Sequence, residues 1–294
     1  MNNLILPELI IGAMRLGTWG ANMNSKELDT FIQGCIALGL NAFDHADIYG
    51  DYTTESVFGK VLKTNSSLRS DILLITKCGI KKVCSNRPGH KVPSYDSSAP
   101  HIEASVETSL KNLHTDYIDL LLLHRPDYLM HPDEVAKSFT KLKESGKVRF
   151  FGVSNFKPSQ FDLLNNSFPL TTNQIEVSLL HRDALEDGTL DQCMAKGIRP
   201  MAWSPVGGGA LFSKSPNEAS LRIIKACEAL CAKYECSFDQ LLIAWLVSHP
   251  SGIVPVTGTS KLERVVAAQK ALSIPLTRED WYLLLQAAMG ESIP

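Results

Sequence analysis

The chain has 294 residues, a formal net charge of −2 at pH 7 and an apolar fraction of 44%. This length exceeds that of most single domains but suits one barrel of eight βα units. The near-neutral charge argues against nucleic acid or an anionic membrane surface as a partner. No apolar run is long enough to cross a bilayer. We therefore expect one folded domain over residues 1–294, without a membrane or nucleic-acid partner.

Seven cysteines are scattered along the chain without a C-x-x-C pair or a Cys/His cluster at metal-binding spacing. Cys227 and Cys231 could share a helix face, but two thiols in a core explain that spacing more simply than half a metal site. Unpaired cysteines in an odd number are typical of a reducing compartment. We expect a cytoplasmic protein without a metal site.

Short apolar runs alternate with amphipathic segments along the chain. The predicted strands are residues 9–14, 40–43, 72–76, 118–123, 148–154, 171–175, 198–203 and 253–256. Segments with apolar residues three and four apart predict helices at 25–38, 55–62, 101–113, 133–144, 221–234, 261–271 and 280–289. The longest stretch without periodicity, residues 81–100, is predicted to be a functional or mobile loop.

The alternation predicts the fold class. Near-continuous apolar strands separated by helices indicate a parallel sheet buried on both faces. An open dinucleotide-binding sheet would need Gly-x-Gly-x-x-Gly after its first strand. Residues 12–17 read Gly-Ala-Met-Arg-Leu-Gly, which lacks that spacing. The sequence therefore predicts an α/β fold, a single TIM (β/α)8 barrel with its active site at the C-terminal rim of the strands.

Four polar residues stand at or just after the ends of successive predicted strands. Asp44 ends the second strand and Tyr49 follows in the turn, while Lys77 and His124 end the third and fourth strands. Taken singly, each has an ordinary explanation, such as a helix cap for the aspartate or a packed ring for the tyrosine. Because strand ends on one rim converge around the barrel axis, their coincidence predicts a shared site.

These residues carry a resemblance to a known family. Residues 43–50, Phe-Asp-His-Ala-Asp-Ile-Tyr-Gly, resemble the Asp-x-Ala-x-x-Tyr-Gly signature of the aldo-keto reductases, and the surroundings of Lys77 and His124 are similar to the rest of that family's tetrad. Residues 152–156, 173–176, 202–205 and 258–264 are similar to its cofactor-binding segments and follow in the same order. Residues 45–50 and 124–127 look most like the bacterial branch called the YdhF-type oxidoreductases.

The resemblance implies an NADP(H)-dependent oxidoreductase that reduces an aldehyde or ketone to an alcohol. Tyr49 would be the general acid that protonates the carbonyl oxygen. Lys77 would lower the pKa of Tyr49, and Asp44 would keep Lys77 protonated and oriented. His124 would donate a hydrogen bond to the carbonyl oxygen. The hydride would come from the cofactor.

The resemblance also implies the cofactor contacts. Ser154, Asn155 and Gln174 would hydrogen-bond the nicotinamide carboxamide, and Trp203 would stack on its ring. The glycine-rich residues 206–209 would let the backbone approach the pyrophosphate. The complete expected set is Gly12, Met14, Ser154, Asn155, Gln174, Trp203, Ser204, Val206, Gly208, Gly258, Thr259, Ser260 and Arg264.

Arg264 would bind the adenosine 2′-phosphate, because a guanidinium binds phosphate in a fork, and this favours NADP over NAD. Two departures from the family pattern, at residues 258–259 and 267–268, replace Lys-Ser by Gly-Thr and Glu-Asn by Ala-Ala. We therefore expect weaker NADP binding than in typical members. His45 stands where Thr or Ser is usual, and we interpret it as a structural residue.

Two other functions stay open from the sequence. The chain could be a non-catalytic NADPH-binding regulatory subunit, because fold does not determine function. It could also be an aldolase or lyase that uses Lys77 as a Schiff-base nucleophile, although Asp44 would hold that lysine protonated. The short tail at residues 290–294 suggests an open pocket for a small carbonyl substrate. We expect a monomer or a weak homo-oligomer.

Overall fold

A computed structural model describes residues 4–293 and contains ten strands in that range. In chain order they are β1 (Ile10–Gly12), β2 (Ala42–Asp44), β3 (Leu73–Cys78), β4 (Ile80–Lys81), β5 (Ser94–Tyr95), β6 (Ile118–Leu123), β7 (Val148–Ser154), β8 (Asn173–Glu176), β9 (Met201–Trp203) and β10 (Val254–Thr257). Eight of them form a closed parallel barrel in the order β1-β10-β9-β8-β7-β6-β3-β2. The predicted TIM barrel is therefore confirmed.

Helices surround the barrel. They are α1 (Ser25–Ala37), α2 (Tyr49–Tyr52), α3 (Thr54–Thr64), α4 (Leu68–Asp71), α5 (Ala99–Leu113), α6 (Pro132–Glu144), α7 (Pro158–Asn165), α8 (Asp183–Glu186), α9 (Thr189–Lys196), α10 (Glu218–Lys233), α11 (Phe238–Val247), α12 (Leu262–Ala271) and α13 (Arg278–Met289). The glycine-rich segment Gly207–Phe212 forms a 3₁₀ turn. Within residues 4–293, no helix has the length and apolar character that a bilayer crossing requires.

Alternation along the strands decides which side chains face the barrel axis. Ile10, Ile75 and Leu122 belong to the cluster that fills the barrel interior. Their neighbours, such as Ile11 and Leu121, pack instead in the layers between the strands and the helices. Because side chains alternate with a period of two, every second residue beyond the interior cluster also faces the axis at the C-terminal rim.

The predicted loop at residues 81–100 contains a short ordered ribbon. Strand β4 begins one residue before the loop, β5 lies within it, and the two strands pair antiparallel. The Tyr52 hydroxyl accepts a hydrogen bond from the Lys82 backbone N–H at 3.0 Å and donates one to the Ile80 carbonyl at 3.2 Å. The Asn86 side chain also donates to the Asp51 carbonyl at 2.8 Å. These bonds attach the loop to the turn that follows β2.

Arg199 ties together the opposite end of the barrel. Its guanidinium donates two hydrogen bonds of 3.0 Å to the carboxylate of Glu8, which precedes β1. It also donates to the Leu6 carbonyl at 3.2 Å and, through Nε, to the Gly252 carbonyl at 3.0 Å. One side chain thus links the segments that lead into β1, β9 and β10 at the closure of the ring.

Candidate active site

The four predicted catalytic residues meet at the C-terminal rim. Asp44 lies two residues after the interior residue Ala42 on β2, and Lys77 lies two residues after the interior residue Ile75 on β3. His124 directly follows β6, and its backbone N–H extends the ladder by bonding the Cys78 carbonyl at 2.8 Å. Alternation therefore turns all three side chains towards the axis. Tyr49 reaches them from the turn after β2.

Lys77 is the centre of this group. Its Nζ donates to Asp44 Oδ2 at 2.7 Å, to the His45 carbonyl at 2.8 Å and to the Tyr49 hydroxyl at 3.0 Å. These three bonds match the three hydrogens of an ammonium group. The Lys77 side chain has no solvent exposure. Asp44 is fixed in turn by Gln174, whose Nε2 donates to Asp44 Oδ1 at 3.1 Å.

The electrostatics keep Lys77 charged and Tyr49 protonated. Burial alone would lower the pKa of Lys77, but the charges of Asp44 and Tyr49 and its hydrogen bonds to them outweigh burial and raise it. Burial raises the pKa of Tyr49, and the opposing attraction of Lys77 does not cancel that effect. We expected Lys77 to lower the pKa of Tyr49, and it does so, but burial has the larger effect. Tyr49 therefore carries its proton at neutral pH.

His124 is buried and electrically neutral. Burial, together with the positive charges of Lys77 and Arg125, holds the pKa of His124 well below its usual range. Its ring lies edge-on to the Tyr49 ring, with centroids 6.1 Å apart. Among residues 4–293, the buried Nδ1 has no hydrogen-bond partner. A neutral imidazole keeps one N–H donor, so His124 can hydrogen-bond an oxygen atom placed beside the Tyr49 hydroxyl.

A cavity of 680 Å³ extends from this group along the rim. Asp44, Tyr49 and His124 form part of its lining. Eleven of the thirteen expected cofactor residues also line it: Gly12, Met14, Ser154, Gln174, Trp203, Ser204, Val206, Gly208, Gly258, Thr259 and Arg264. Most of these follow β7 or a later strand, whereas the four expected catalytic residues come from β2 to β6.

The two remaining expected residues stand apart from the cavity lining. Asn155 lies behind it: its Nδ2 donates to Ser154 Oγ at 2.7 Å, and its Oδ1 accepts from Trp203 Nε1 at 3.0 Å. Asn155 therefore orients two lining side chains. Ser260 is half-buried next to Thr259 and is not part of the lining.

The side chains present fit a nicotinamide dinucleotide. Trp203 is only half-buried and lines the cavity, so its indole face is available for stacking instead of being packed in a core. Gly208 and Gly209 line the cavity with φ angles of 63° and 96°, which glycine adopts readily, and they add no side chain to this part of it. Arg264 is exposed and lines the cavity, and its guanidinium can bind a phosphate there.

Other lining residues were not predicted from the sequence. Trp19 packs near Tyr49, with ring centroids 6.2 Å apart, and the Lys82 ammonium lies 4.5 Å from the Trp19 centroid. Arg125 and Ile80 also line the cavity near His124. Arg125 could have been found because it directly follows His124 at a strand end. Trp19 lies within the loop between β1 and α1 and does not directly follow the strand, so its position in the sequence is a weaker signal.

His45 has a structural environment. Its ring has no solvent exposure and packs edge-on against Phe58, with centroids 4.4 Å apart. Within the described residues, neither ring nitrogen has a hydrogen-bond partner. Burial, followed by the charge of Lys77, lowers the pKa of His45 to about 3. His45 lies between the barrel and α3 and is not part of the cavity lining.

Curated relatives match almost the whole chain. An uncharacterized oxidoreductase, YcsN of Bacillus subtilis, is 46% identical over 99% of this chain and 97% of its own length. The oxidoreductase YdhF of Escherichia coli is 44% identical over 98% and 95%. A 6-dehydroglucose reductase of Agrobacterium fabrum is 40% identical over 99% and 97%. The predicted similarity to the YdhF-type oxidoreductases is confirmed.

Solved structures share the barrel. The thermostable aldo-keto reductase Tm1743, in complex with the inhibitor epalrestat, superposes with a TM-score of 0.80 at 25% identity over 96% of this chain and 95% of its own. An aldo/keto reductase of Klebsiella pneumoniae, in complex with NADP and acetate, has a TM-score of 0.75 at 26% identity over 98% and 93%. The family model described as the aldo/keto reductase family matches residues 8–288. The chain therefore belongs to the aldo/keto reductase family of oxidoreductases.

Proposed function

We propose that the chain reduces a small aldehyde or ketone to an alcohol with NADPH, as one catalytic domain spanning residues 1–294. The hydrogen bonding of Lys77 carries this proposal: a fully buried ammonium links the Asp44 carboxylate to the Tyr49 hydroxyl. That arrangement suits a proton donor placed beside an oxygen that gains negative charge. The nicotinamide supplies the hydride when it is bound.

In the proposed mechanism, Tyr49 and His124 bind the substrate oxygen together. Tyr49 donates its proton to that oxygen as negative charge develops, and the nearby Lys77 ammonium stabilises the phenolate left behind. The neutral His124 donates a hydrogen bond that orients the carbonyl. Asp44 keeps Lys77 charged, and Gln174 holds Asp44 in place.

The cavity supports NADP as the cofactor. Ser154 and Gln174 would bind the carboxamide, Trp203 would stack on the nicotinamide, and Arg264 would bind the 2′-phosphate. The Klebsiella pneumoniae relative that shares the fold was solved in complex with NADP. Its complex supports the use of the same cofactor here.

The same geometry weighs against Lys77 as a Schiff-base nucleophile. A nucleophilic lysine must be neutral, whereas the pKa of Lys77 is raised because Asp44 and Tyr49 stabilise the ammonium against the effect of burial. The assembled tetrad likewise favours catalysis over a purely regulatory role. Two relatives are called 6-dehydroglucose reductases, and a sugar aldehyde is therefore one candidate substrate.

Substitution of Tyr49 tests the proposal. Tyr49→Phe keeps the ring but removes the proton donor, so we expect the rate of NADPH oxidation with aldehydes to fall by about a hundredfold or more. The affinity for NADPH, measured by quenching of tryptophan fluorescence, should change by only a few fold. Tyr128→Phe is the matched control, because Tyr128 is 88% exposed and outside the cavity lining.

Three outcomes are distinguishable. Loss of turnover in Tyr49→Phe alone supports the proposed acid. Substantial turnover in that variant would rule out Tyr49 as the donor. NADPH binding by the wild type without turnover of aldehydes, ketones, quinones or dicarbonyls would favour the regulatory-subunit function.

A further inference from the structure

Arg125 is a cation beside the proposed proton donor. It directly follows His124, is half-buried and lines the cavity. Its Cζ lies 5.5 Å from the centroid of the Trp203 ring, the proposed nicotinamide platform. Its Nη1 donates to the His124 backbone carbonyl at 3.0 Å. A guanidinium has five N–H donors in a fixed fork, so most of its hydrogen-bonding capacity is free for a ligand.

No carboxylate within residues 4–293 forms an ion pair with this guanidinium. Arginines at the other end of the barrel differ: Arg69 and Arg199 each contact a carboxylate, at 2.8 and 3.0 Å. Glu176 attracts Arg125 electrostatically, but its own carboxylate contacts His181 at 3.2 Å. Burial lowers the pKa of Arg125 although Tyr95, Tyr49 and Glu176 oppose the shift. An arginine remains charged nonetheless.

We propose that Arg125 determines substrate specificity by binding a carboxylate carried by the carbonyl substrate. This inference rests on the proposed reduction. Tyr49 and His124 would hold the carbonyl oxygen, and Arg125, which lines the same cavity, would bind a group carried by the carbonyl carbon. The preferred substrates are then oxo acids. The carbonyl carbon gains the hydride, its oxygen gains the Tyr49 proton, and the carboxylate is unchanged, so the product is a hydroxy acid.

An anionic group suits Arg125 better than a hydroxyl group does. Hydrogen bonds between two charged groups are shorter and about twice as strong as neutral ones, and a carboxylate can accept two of them from one guanidinium. The half-buried position increases the difference, because a cation removed from water gains most from an opposite charge. Apolar side chains such as Ile48 and Ile80 make up part of the same cavity lining.

A matched pair of substrates tests the inference. Both 4-oxobutanoate and its methyl ester present the same aldehyde, but only the first carries a negative charge. We expect the wild type to prefer the acid in kcat/KM. In Arg125→Gln, the acid-to-ester ratio should fall by about tenfold to a hundredfold, the range for loss of hydrogen bonds to a charged group. The loss should appear mainly in KM for the acid.

Two further variants serve as controls. Arg125→Lys keeps the cation without the fork, so its acid-to-ester ratio should lie between those of the wild type and Arg125→Gln. Lys111→Gln removes one exposed positive charge on α5, away from the cavity, and should keep the wild-type ratio. D-glyceraldehyde, which is neutral and hydroxylated, serves as a third substrate.

The possible results separate this inference from the proposed function. An unchanged acid-to-ester ratio in Arg125→Gln would overturn the role of Arg125. So would a loss of kcat/KM for D-glyceraldehyde as large as that for the acid, because Arg125 would then recognise hydroxyl groups. Turnover of the ester with normal dependence on Tyr49 would leave the proposed reduction intact in either case. Absence of turnover with every substrate would instead contradict the reduction itself.

Discussion

Lys77 keeps a positive charge in a place that water does not reach. Its ammonium depends on three protein oxygens, of which only that of Asp44 belongs to a carboxylate. Removing one partner of a buried ion pair leaves an uncompensated charge, which costs far more than replacing both partners by uncharged groups. The stability of the rim therefore depends on whether Lys77 and Asp44 are both present.

A double-mutant cycle measures this coupling. Asp44→Asn should lower the free energy of unfolding by about 3–5 kcal/mol, because the Lys77 charge stays buried without its carboxylate. Adding Lys77→Met to that variant should recover much of the loss. Urea unfolding of the wild type, the two single variants and the double variant gives the four values required. Losses that simply add would show that the pair is not energetically coupled.

At the scale of single residues, the sequence predicted positions better than interactions. Asp44, Lys77 and His124 could be found because each ends an apolar strand, and strand ends converge. The sign of the pKa shift of Tyr49 could not, since it depends on how much burial outweighs the attraction of Lys77. The role of Asn155 behind Ser154 and Trp203 likewise depends on side-chain geometry.

At the scale of elements, the longer helices that the sequence did not predict were missed for two reasons. In α11, six consecutive residues from Leu241 to Leu246 are buried, so no polar face produces a periodicity of three and four. Helices α7 and α9 span only eight residues each, too few for a clear pattern. The eight barrel strands were predicted to within a few residues. A strand buried on both faces is a continuous apolar run, which can be recognised without an alternation of polar and apolar residues.

The packing of α3 against α5 allows a sharp test of helix spacing. A Cβ on Gly59 of α3 would overlap the Asn112 carbonyl oxygen and lie 2.7 Å from the Leu113 Cα. Backbone atoms cannot move aside as a side chain can, so Gly59→Ala should destabilise the protein by about 1–3 kcal/mol despite the better helix propensity of alanine. Thermal unfolding monitored by circular dichroism measures the effect.

Gly34 in α1 is the matched control. A Cβ there would lie 2.8 Å from Leu262 Cδ2, the flexible end of a partly exposed side chain. That side chain can rotate away, and alanine gains about 1 kcal/mol of helix propensity. Gly34→Ala should therefore change stability by less than about 1 kcal/mol. Equal destabilisation by the two substitutions would contradict the close approach of α3 and α5.

At the scale of the whole molecule, the alternation of inward-facing and outward-facing side chains along the strands assembles the site. The register pairs Gly12 with Asp44 and Asp44 with Ile75 across neighbouring strands. Gln174 is paired with Met201, an interior residue. Because every second residue of each strand faces inward, closure of the barrel brings residues from distant parts of the chain to its axis. The closed ring was predictable from eight strand–helix units, whereas the ribbon of β4 and β5 has no periodic signal and was not.

The buried His45 makes the stability of the folded protein depend on pH. The pKa of His45 is about 3 in the folded protein, against an ordinary value of 6.5, because of burial and then the charge of Lys77. As the pH falls below 6.5, the unfolded chain binds a proton that the folded protein excludes, so stability is lost progressively towards pH 3. One such group contributes at most about 1.4 kcal/mol per pH unit.

Replacement of His45 isolates this effect. The folded His45→Gln variant has no titrating ring at this site, so its free energy of unfolding should fall less steeply than that of the wild type between pH 7 and pH 4. Urea unfolding at four pH values supplies the comparison. Parallel curves would indicate that His45 does not contribute to acid sensitivity.

The site is divided along the chain. The four proposed catalytic side chains all precede residue 125, whereas most of the cavity residues proposed to hold NADP come after residue 153. The Gln174–Asp44 hydrogen bond joins the two sets. Genetic exchange or gradual drift in the second half can therefore alter the choice of dinucleotide while the proton-transfer machinery is inherited unchanged, provided that Gln174 is kept. A barrel arranged in this way can evolve its two recognition tasks at separate rates.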